Sequence, residues 1–333
     1  MTVSDYPPVE TTSVGQLMAA DTVPAAPTPE AGPRVPTVTV VLPVLNEADN
    51  LRRLLGELTD ELDAIAQYDF EVLVVDDGST DGSGEIAREM GARVVRHATN
   101  LGNGAAVKRG IREADGDFIL LMDGDGQHPP DAIKRLVAKL DSHDMVVGSR
   151  GGSGGSVHRN LANRIYNGLA SYVTARKIPD LTSGFRVAPA AALKGFVHML
   201  PNTFSYPTTI TLAMFKAGYS VHYEPIVVRP RGGHSKINVI RDGSRFLLII
   251  LKVATMFSPL KVFMPASALI AVLGVAWYVI TFLTEHRFTN MGLLLLVQAS
   301  VIFGLGLVSE QIAQLRFEQS EARQNPPSND VVE

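Results

Sequence analysis

Phe118-Ile-Leu-Leu-Met-Asp123-Gly-Asp125-Gly-Gln127-His128-Pro-Pro130 carries a continuous apolar stretch straight into a cluster of oxygen ligands. Phe118 to Met122 shows no polar alternation, the pattern of a strand covered on both faces. Asp123, Asp125 and Gln127 then follow at i, i+2 and i+4. In a bend after a strand, two such carboxylates can converge on one hard cation. Carboxylates, an amide oxygen and water suit Mg2+ or Mn2+, and such an ion suits a diphosphate. Pro129 and Pro130 close the bend and can start a helix. The plainer reading is an acidic turn, because Asp and Gly favour turns whatever their chemistry. A calcium loop is excluded: counted from Asp123, position 6 is His128 rather than Gly and position 12 is Lys134 rather than Glu.

Working outward, strand and helix patterns alternate. Strands are expected at Val38 to Leu42, Phe70 to Val75, Ala92 to Arg96, Phe118 to Met122 and Asp144 to Gly148. Helices are expected at Glu47 to Tyr68, Ser83 to Met90, Asn103 to Ala114 and Asp131 to Leu140. This alternation predicts an α/β fold, a Rossmann-like, mostly parallel sheet with helices on both faces. In such sheets ligands bind beyond the carboxyl ends of the strands.

The polar clusters fall at those ends. They are Pro43-Val-Leu-Asn46-Glu47, Asp76-Asp77-Gly-Ser-Thr-Asp81-Gly82, Asn100-Leu-Gly102-Asn-Gly104 with Lys108, Asp123-Gly-Asp125, and Gly148-Ser-Arg150. Five clusters on one edge favour a ligand cleft over coincidence. Asp77 to Gly82 copies the start of a calcium loop, but position 12 is Arg88, which rules that loop out. Gly102-Asn-Gly104 has no Walker Lys-Ser/Thr and is a tight turn feeding a helix N-terminus, where phosphates and ribose hydroxyls bind readily. Asp76 or Asp77 can accept hydrogen bonds from a base or ribose. Glu47 is either a ligand or an ordinary first-turn acid.

The totals narrow the classes further. The chain has 333 residues, a net charge of −4 and no cysteine. No basic footprint points to nucleic acid. Disulfides, zinc–thiolate sites and cysteine nucleophiles are excluded, and a reducing compartment fits. Residues 1–36 hold seven prolines and no periodicity, which predicts a disordered tail rather than a signal peptide.

Past the fifth strand, Gly151-Gly-Ser-Gly-Gly155 reads as a lid or as a plain connector. Val157 to Ala175 is an expected helix with Arg159, Asn163 and Arg164. Asp180-Leu-Thr-Ser183-Gly-Phe-Arg186 is an expected turn and short strand, with helices from Ala190 and over Ser205 to Lys216 and extended chain over Tyr219 to Val228. Arg229-Pro-Arg231-Gly-Gly-His-Ser235-Lys236 is basic and glycine-rich, suited to an oxyanion such as phosphate or else a solvated loop.

The C-terminal third reads as a membrane module. Val262 to Leu283 and Met291 to Ser309 are uncharged runs of 22 and 19 residues, and about 20 residues cross a bilayer core. Before them, Arg241, Arg245 and Lys252 share a face beside Phe246 to Leu251, an expected amphipathic helix at the interface. Basic residues flank both outer ends, while the loop between the runs has only Arg287. The positive-inside rule therefore predicts a cytoplasmic catalytic domain and cytoplasmic termini. The expected plan is a tail over 1–36, an α/β domain over 37–237, the amphipathic helix over 238–258, the hairpin over 259–315 and a cytoplasmic tail over 316–333.

These motifs, in this order, resemble family 2 glycosyltransferases of the GT-A fold, within them the dolichol- or polyprenyl-phosphate mannosyltransferase-like group with two C-terminal membrane helices. The matching residues are Pro43-x-x-Asn46-Glu47, Asp76-Asp77-Gly-Ser-Thr-Asp81, Asn100-x-Gly102-x-Gly104, Asp123-x-Asp125-x-Gln127-His128, Ser183-Gly-Phe-Arg186 and Arg231-x-Gly-x-Ser235-Lys236. The resemblance implies a nucleotide-sugar donor (GDP-mannose, UDP-glucose or UDP-N-acetylglucosamine), a divalent Mg2+ or Mn2+ and a polyprenyl-phosphate acceptor. It implies that Pro43, Asn46, Glu47, Asp76 and Asp77 hold the nucleoside, bordered by Asn100, Gly102 and Lys108. Asp123, Asp125 and Gln127 would bind the metal and the donor diphosphate. Arg150, Arg159, Arg186, Arg231, Ser235 and Lys236 would gather acceptor phosphate and donor charge, with Asp125, Arg150, Arg186, Arg231 and Lys236 as the catalytic set. Gly124 stands where relatives often have Ala, and Asn163 where a Ser is often found. The competing readings are a processive polysaccharide synthase, a GT-A-like nucleotidyltransferase and a silent membrane scaffold. The first is disfavoured because the single tryptophan, Trp277, lies inside a membrane run instead of a Gln-x-x-Arg-Trp motif. A homo-oligomer is left open.

Overall fold

The computed structural model describes residues 34–150, 157–202, 206–229, 255–287 and 289–324. In chain order these form β1 (Thr37–Val44), α1 (Ala48–Asp63), β2 (Asp69–Asp76), α2 (Ser83–Glu89), β3 (Arg93–Arg96), α3 (Asn103–Glu113), β4 (Phe118–Leu121) and α4 (Ala132–Val137). They continue with β5 (Met145–Arg150), α5 (Val157–Thr174), β6 (Arg186–Pro189), α6 (Ala190–Phe196), α7 (Tyr206–Lys216), β7 (Val221–Ile226), α8 (Pro259–Glu285) and α9 (Asn290–Gln324).

The seven strands make one sheet in the order β3-β2-β1-β4-β6-β5-β7. Every pairing is parallel except those of β6, which runs antiparallel to both β4 and β5. The carboxyl ends of β1 to β5 and β7 therefore share one edge, and β6 begins there, with Arg186 opposite Leu121. Successive strand residues face opposite sides, which fills two cores. Val41, Leu73 and Val75 pack with α3, α5, α6 and α7, whereas Val40, Leu42 and Val74 pack with α1, α2 and α4. All six of these strand side chains are fully buried, which explains their unalternated apolar sequence.

Most boundaries in the sheet follow the sequence reading. α4 ends three residues early at Val137 and α9 runs on to Gln324. Two further differences concern the first helix and the sixth strand. The first helix stops at Asp63 rather than Tyr68, because Ile65 must drop into the core and Asp69 must reach the Pro36 carbonyl to start β2. The strand expected to end at Arg186 instead begins there and runs to Pro189. The tail over 1–33, the Gly151 to Gly155 loop, the basic stretch from Arg231 to Lys236 and the amphipathic helix as far as residue 254 lie outside the described residues.

The apolar runs are α8 and α9, both long and apolar enough to cross a membrane. Only 17% of the most apolar stretch of each is buried, so neither is the core helix of a soluble domain. They lie antiparallel: Gly306 faces Phe263, Gly292 faces Tyr278 and Gly274 faces Leu295. Phe257, just before α8, is buried in the core formed by α5 and α7, with Met256 and Val262 packed against that core.

At Gly110 the core allows no side chain. A Cβ there would sit 2.2 Å from Val41 Cγ1 and 3.2 Å from Val75 Cγ2, where α3 crosses the sheet. Gly110→Ala gains up to about 1 kcal/mol of helix propensity but overpacks the core, at a cost of about 1–3 kcal/mol. A lower thermal unfolding midpoint in detergent is expected. An unchanged or higher midpoint would show that α3 can move off the sheet freely.

Candidate active site

The sheet's carboxyl edge is built first from loops that hold each other. Asn46 turns the chain after β1 in the left-handed region, φ 55°, which Asn tolerates. Its N–H and those of Glu47 and Ala48 donate to Ser79 Oγ at 3.0 Å, Ser83 Oγ at 3.0 Å and Asp81 Oδ2 at 2.9 Å. In return, Asn46 Oδ1 accepts the Thr80 N–H at 2.9 Å. The loop after β2 thus caps the start of α1, whose first N–H groups have no partner within the helix. The Glu47 carboxylate accepts from Asn50 Nδ2 at 2.8 Å, one helical turn on.

Asp76 and Asp77 are committed to the scaffold as well. Asp76 is fully buried, with Oδ1 accepting the Ser79 N–H at 2.8 Å and Oδ2 3.2 Å from Arg96 Nε. That second contact is an ion pair by distance without hydrogen-bond alignment. Asp77, 2% exposed, takes the Leu101 N–H at 3.0 Å and His97 Nδ1 at 2.7 Å on Oδ1, and the Gly102 N–H at 2.8 Å on Oδ2. Asn100 Oδ1 shares the Gly102 N–H at 2.9 Å. Lys108 donates to Asn202 Oδ1 at 2.8 Å, and burial together with Arg112 lowers its pKa.

The turn after β4 is different. Asp123, Asp125 and Gln127 are half-buried, while the residues between them and His128 are buried. Among the described residues, neither aspartate ion-pairs with an Arg or Lys. Asp125 Oδ1 accepts the Gln127 N–H at 3.1 Å, and the Tyr206 hydroxyl stands 3.5 Å from Asp123 Oδ1. The Asp123 N–H donates to His128 Nδ1 at 3.3 Å, and His128 stacks on Phe185 at 5.1 Å between centroids. Burial lowers the His128 pKa, with Asp123 and Asp125 opposing. Burial raises Tyr206 well above its usual range, helped by Asp123, so it remains a donor. Gly184 passes directly over Asp123: a Cβ there would lie 2.8 Å from both Asp123 Oδ2 and the Tyr206 hydroxyl.

The flanking arginines behave unlike each other. Arg150, the last residue of β5, forks onto Asp180 with Nε–Oδ2 at 2.9 Å and Nη2–Oδ1 at 3.1 Å, and Nη2 reaches Thr182 Oγ1 at 2.6 Å. Its side chain is still 38% exposed, leaving a face toward the cleft edge. Arg186 has no exposed surface. It donates to the Pro207 carbonyl at 2.7 Å, to Thr211 Oγ1 at 3.0 Å and to the Ser183 carbonyl, while its buried Nε lacks a partner. Burial lowers its pKa, with Tyr206 and Tyr223 opposing.

Two expected ligands are occupied within the domain. The Arg186 guanidinium is enclosed and bonded to the Pro207 and Ser183 carbonyls and to Thr211, and the Asp76 carboxylate lies buried beneath Gly84, where an added Cβ would sit 2.6 Å from Oδ2. Asn46 and Asp77 likewise shape the loops, whereas Pro43 stays within β1. Arg159 lies on α5 with its side chain outside the described residues, as are Arg231, Ser235 and Lys236. Sequence reasoning missed Asp180 and Tyr206, which are separated from their partners by 30 and 83 residues and have no local pattern to mark them.

Among the described residues no group of three or more His, Asp or Glu side chains gathers to cage a metal. Asp123 and Asp125 offer two half-buried carboxylates that, among the described residues, pair with no Arg or Lys. That donor set fits Mg2+ or Mn2+ as a partial site, since such ions keep waters and share phosphate oxygens. An acidic turn thus sits at the carboxyl edge of a mostly parallel sheet, beside the interlocked loops that follow β1, β2 and β3.

Comparison with known proteins places it further. The model for glycosyl transferase family 2 matches residues 39–196, and that for the GtrB C-terminal hairpin matches residues 258–315. Residues 39–196 thus form a family 2 glycosyltransferase domain, and it is followed by a hairpin of the GtrB C-terminal type. It is 28% identical over 319 residues to undecaprenyl-phosphate 4-deoxy-4-formamido-L-arabinose transferase of Edwardsiella ictaluri, covering 88% of this chain and 96% of that one. Dolichol-phosphate mannosyltransferase of Pyrococcus furiosus is 35% identical over 160 residues, covering 44% of this chain and 45% of the relative. The fold is shared with glucosyl-3-phosphoglycerate synthase from Mycobacterium tuberculosis, solved with Mn2+ and UDP-glucose, at a TM-score of 0.53 and 21% identity over 65% of this chain and 77% of that one.

The Arg150–Asp180 pair gives a test of this edge. Burial raises the Asp180 carboxyl, but the Arg150 bonds outweigh it and hold the pKa below the ordinary 3.8. A depressed carboxylate contributes stability that is present above its unfolded pKa and lost as pH falls through the folded one. Asp180→Asn should therefore destabilise the protein at pH 7 by about 1.5–3 kcal/mol, toward the lower figure because Arg150 is partly solvated. The difference from wild type should shrink below about pH 4. Unfolding midpoints of both proteins from pH 3 to 8 would check it, and a difference constant with pH would refute the ion pair as the cause.

Proposed function

We propose that this protein is a membrane-anchored, inverting glycosyltransferase that moves a sugar from a nucleotide sugar to a polyprenyl phosphate. The observation that carries this reading is the union, in one compact unit, of the Asp123–Asp125 turn with two apolar helices rooted in the same core. The transferases named above, which act on undecaprenyl and dolichol phosphates by name, support the lipid acceptor. GDP-mannose and a UDP-hexose such as UDP-glucose are the leading donors.

In this reading Asp123 and Asp125, with Gln127 at the bend, would hold Mg2+ or Mn2+, and such an ion would supply charge neutralisation to the departing diphosphate. The domain's own residues do the rest. The Asn46, Ser79, Asp81 and Asp77 bonds hold the three loops around the nucleoside in one shape, so the donor meets a preformed cleft. Arg150 presents the open face of a guanidinium already oriented by Asp180. Tyr206, held protonated, steadies Asp123.

The acceptor needs little activation. A phosphomonoester's second pKa is about 6, so its oxygen is largely ionised at pH 7. That oxygen attacks the anomeric carbon as the bond to the nucleotide diphosphate breaks, inverting the configuration. The Arg229 N–H donates to the Gln127 carbonyl at 2.9 Å, which ties the chain to the acidic turn. Arg231, Ser235 and Lys236 follow it in sequence and, with Arg159, are assigned to the acceptor phosphate on the ground of their charge and hydroxyl chemistry. Basic residues outside the two spans orient the domain and both termini to the cytoplasm.

Membranes containing the protein should transfer radiolabel to polyprenyl phosphate from one member of a panel of GDP-mannose, UDP-glucose and UDP-N-acetylglucosamine. Asp125→Ala should lower that transfer by about 100-fold or more while leaving the unfolding midpoint unchanged, because it removes a ligand and no core contact. Near-normal, chelator-sensitive transfer by the variant would remove Asp125 from the metal site.

A further inference from the structure

Among the described residues, polar contacts between the catalytic domain and the hairpin gather on Glu310 and Lys261, whose own carbonyl also accepts from the Tyr172 hydroxyl at 3.3 Å. Glu310 is the first charged residue after the uncharged run of α9. Its Oε2 accepts the Leu260 N–H at 3.2 Å, in the first turn of α8. Its Oε1 lies 3.7 Å from Lys216 Nζ, at the C-terminus of α7. Beside it, Lys261 Nζ donates to the Val173 carbonyl at 2.6 Å and to the Tyr172 carbonyl at 3.3 Å, at the C-terminus of α5. An acid at a helix start and ammonium groups at two helix ends each sit where the helix dipole favours them. The contacts line a cavity of about 490 Å³ between α5, α7, α8 and α9, so part of each is water-accessible.

The helices held at this junction are those that shape the active edge. The other end of α7 carries Tyr206, beside Asp123, and Pro207, which with Thr211 at mid-helix holds Arg186. At about 1.5 Å per residue, Tyr206 lies roughly 15 Å along the helix from Lys216. The α5 helix is tied to α7 midway by Tyr166 and Thr208, whose hydroxyls lie 2.7 Å apart. A rotation of the hairpin relative to α7 would therefore tilt the whole cleft relative to the membrane.

We infer that Glu310 is a positioning residue: with Lys216, Lys261 and the first turn of α8 it forms a polar latch that sets the height and tilt of the Asp123 edge over the bilayer. The inference rests on the acceptor being a membrane lipid. The latch matters only to an acceptor whose headgroup is fixed in a plane. A short prenyl phosphate free in water can follow a tilted cleft.

The test compares Glu310→Leu and Glu310→Gln in full-length protein reconstituted in vesicles. Gln keeps an oxygen for the Leu260 N–H but no charge for Lys216, so an intermediate effect is expected. Transfer to polyprenyl phosphate in the bilayer should fall on the order of tenfold in Glu310→Leu, as a raised KM for that lipid. Nucleotide affinity and transfer to a short, water-soluble prenyl phosphate should stay near wild type. Equal losses with both acceptors would mean that Glu310 merely supports the fold, and no loss with either would mean that the latch does nothing; each overturns the inference. A second readout does not need turnover. The chain lacks cysteine, so Lys134→Cys, at an exposed position of α4, accepts a single fluorophore. Its quenching by a lipid-borne quencher should change in Glu310→Leu, and unchanged quenching overturns the inference. If the wild type transfers to no prenyl phosphate, the lipid-acceptor reading fails, and the quenching result still decides the latch.

Discussion

A sheet packed with helices on both faces has no room for charge along its strands, and the rest of this structure follows from that constraint. β1, β4 and the carboxyl half of β2 bury nearly every side chain, so along these stretches charged groups gather where the strands stop. The parallel arrangement brings those stops to one edge. Asp76, Asp77, Asp123, Asp125 and Arg150 are distant in sequence and converge because each ends, or directly follows, a strand. The antiparallel β6 strengthens the effect. It starts at this edge and so delivers Asp180, Ser183 and Gly184 to the same place, with Ser183 Oγ bonded to the Gly148 carbonyl at 2.6 Å.

Within that edge the polar groups divide by what they already hold. A carboxylate that accepts several backbone N–H groups is a structural element before it is a ligand. Asp77 accepts two backbone N–H groups and a histidine nitrogen, and Asp81 supports both its own loop and the start of α1. The aspartates after β4 are the exception. They bend back on their own turn and are bordered by groups that leave space, notably Gly184. An acid with few internal partners on an open edge is costly unless a cation or water completes it, and this contrast separates the Asp123–Asp125 turn from its equally acidic neighbours.

The fold was legible because apolar runs and turn residues are local signals. Val38 to Leu42 and Phe118 to Met122 could hardly be anything but buried strands. What escaped depends on contacts between distant segments. β6 has only Val187 and Ala188 between an arginine and a proline, too little pattern to mark a central antiparallel strand. α9 runs on to Gln324, well beyond the uncharged stretch, because residues such as Glu, Gln, Ala and Leu favour helix once past the apolar run. At the site, the strand-end clusters after β1, β2 and β3 lie together, as a parallel sheet requires. The sequence could not show that Asn46 and Ser79 would bond to each other, or that Arg186 would be enclosed by α7. Ligand-like residues in ligand-like spacing carry no sign of whether their hydrogen bonds are already taken.

The membrane module raises the same question of what fixes what. Two helices in lipid gain little from hydrophobic association, since lipid tails are as apolar as their own surfaces. Close approach at Gly274 and Gly306 holds α8 to α9, but it gives no orientation relative to the sheet. Orientation has to come from outside the apolar runs. Phe257 supplies an apolar anchor in the core beneath α5 and α7, and such packing resists separation more than it resists rotation. Directional bonds at a second point are needed to stop the domain turning about that anchor. Lys261 at the end of α5 and Glu310 between α8 and α7 are directional, and they lie beside the anchor on different helices. One buried ring and two charged side chains thus define a plane, and a plane is what a cleft working on a membrane-bound headgroup requires.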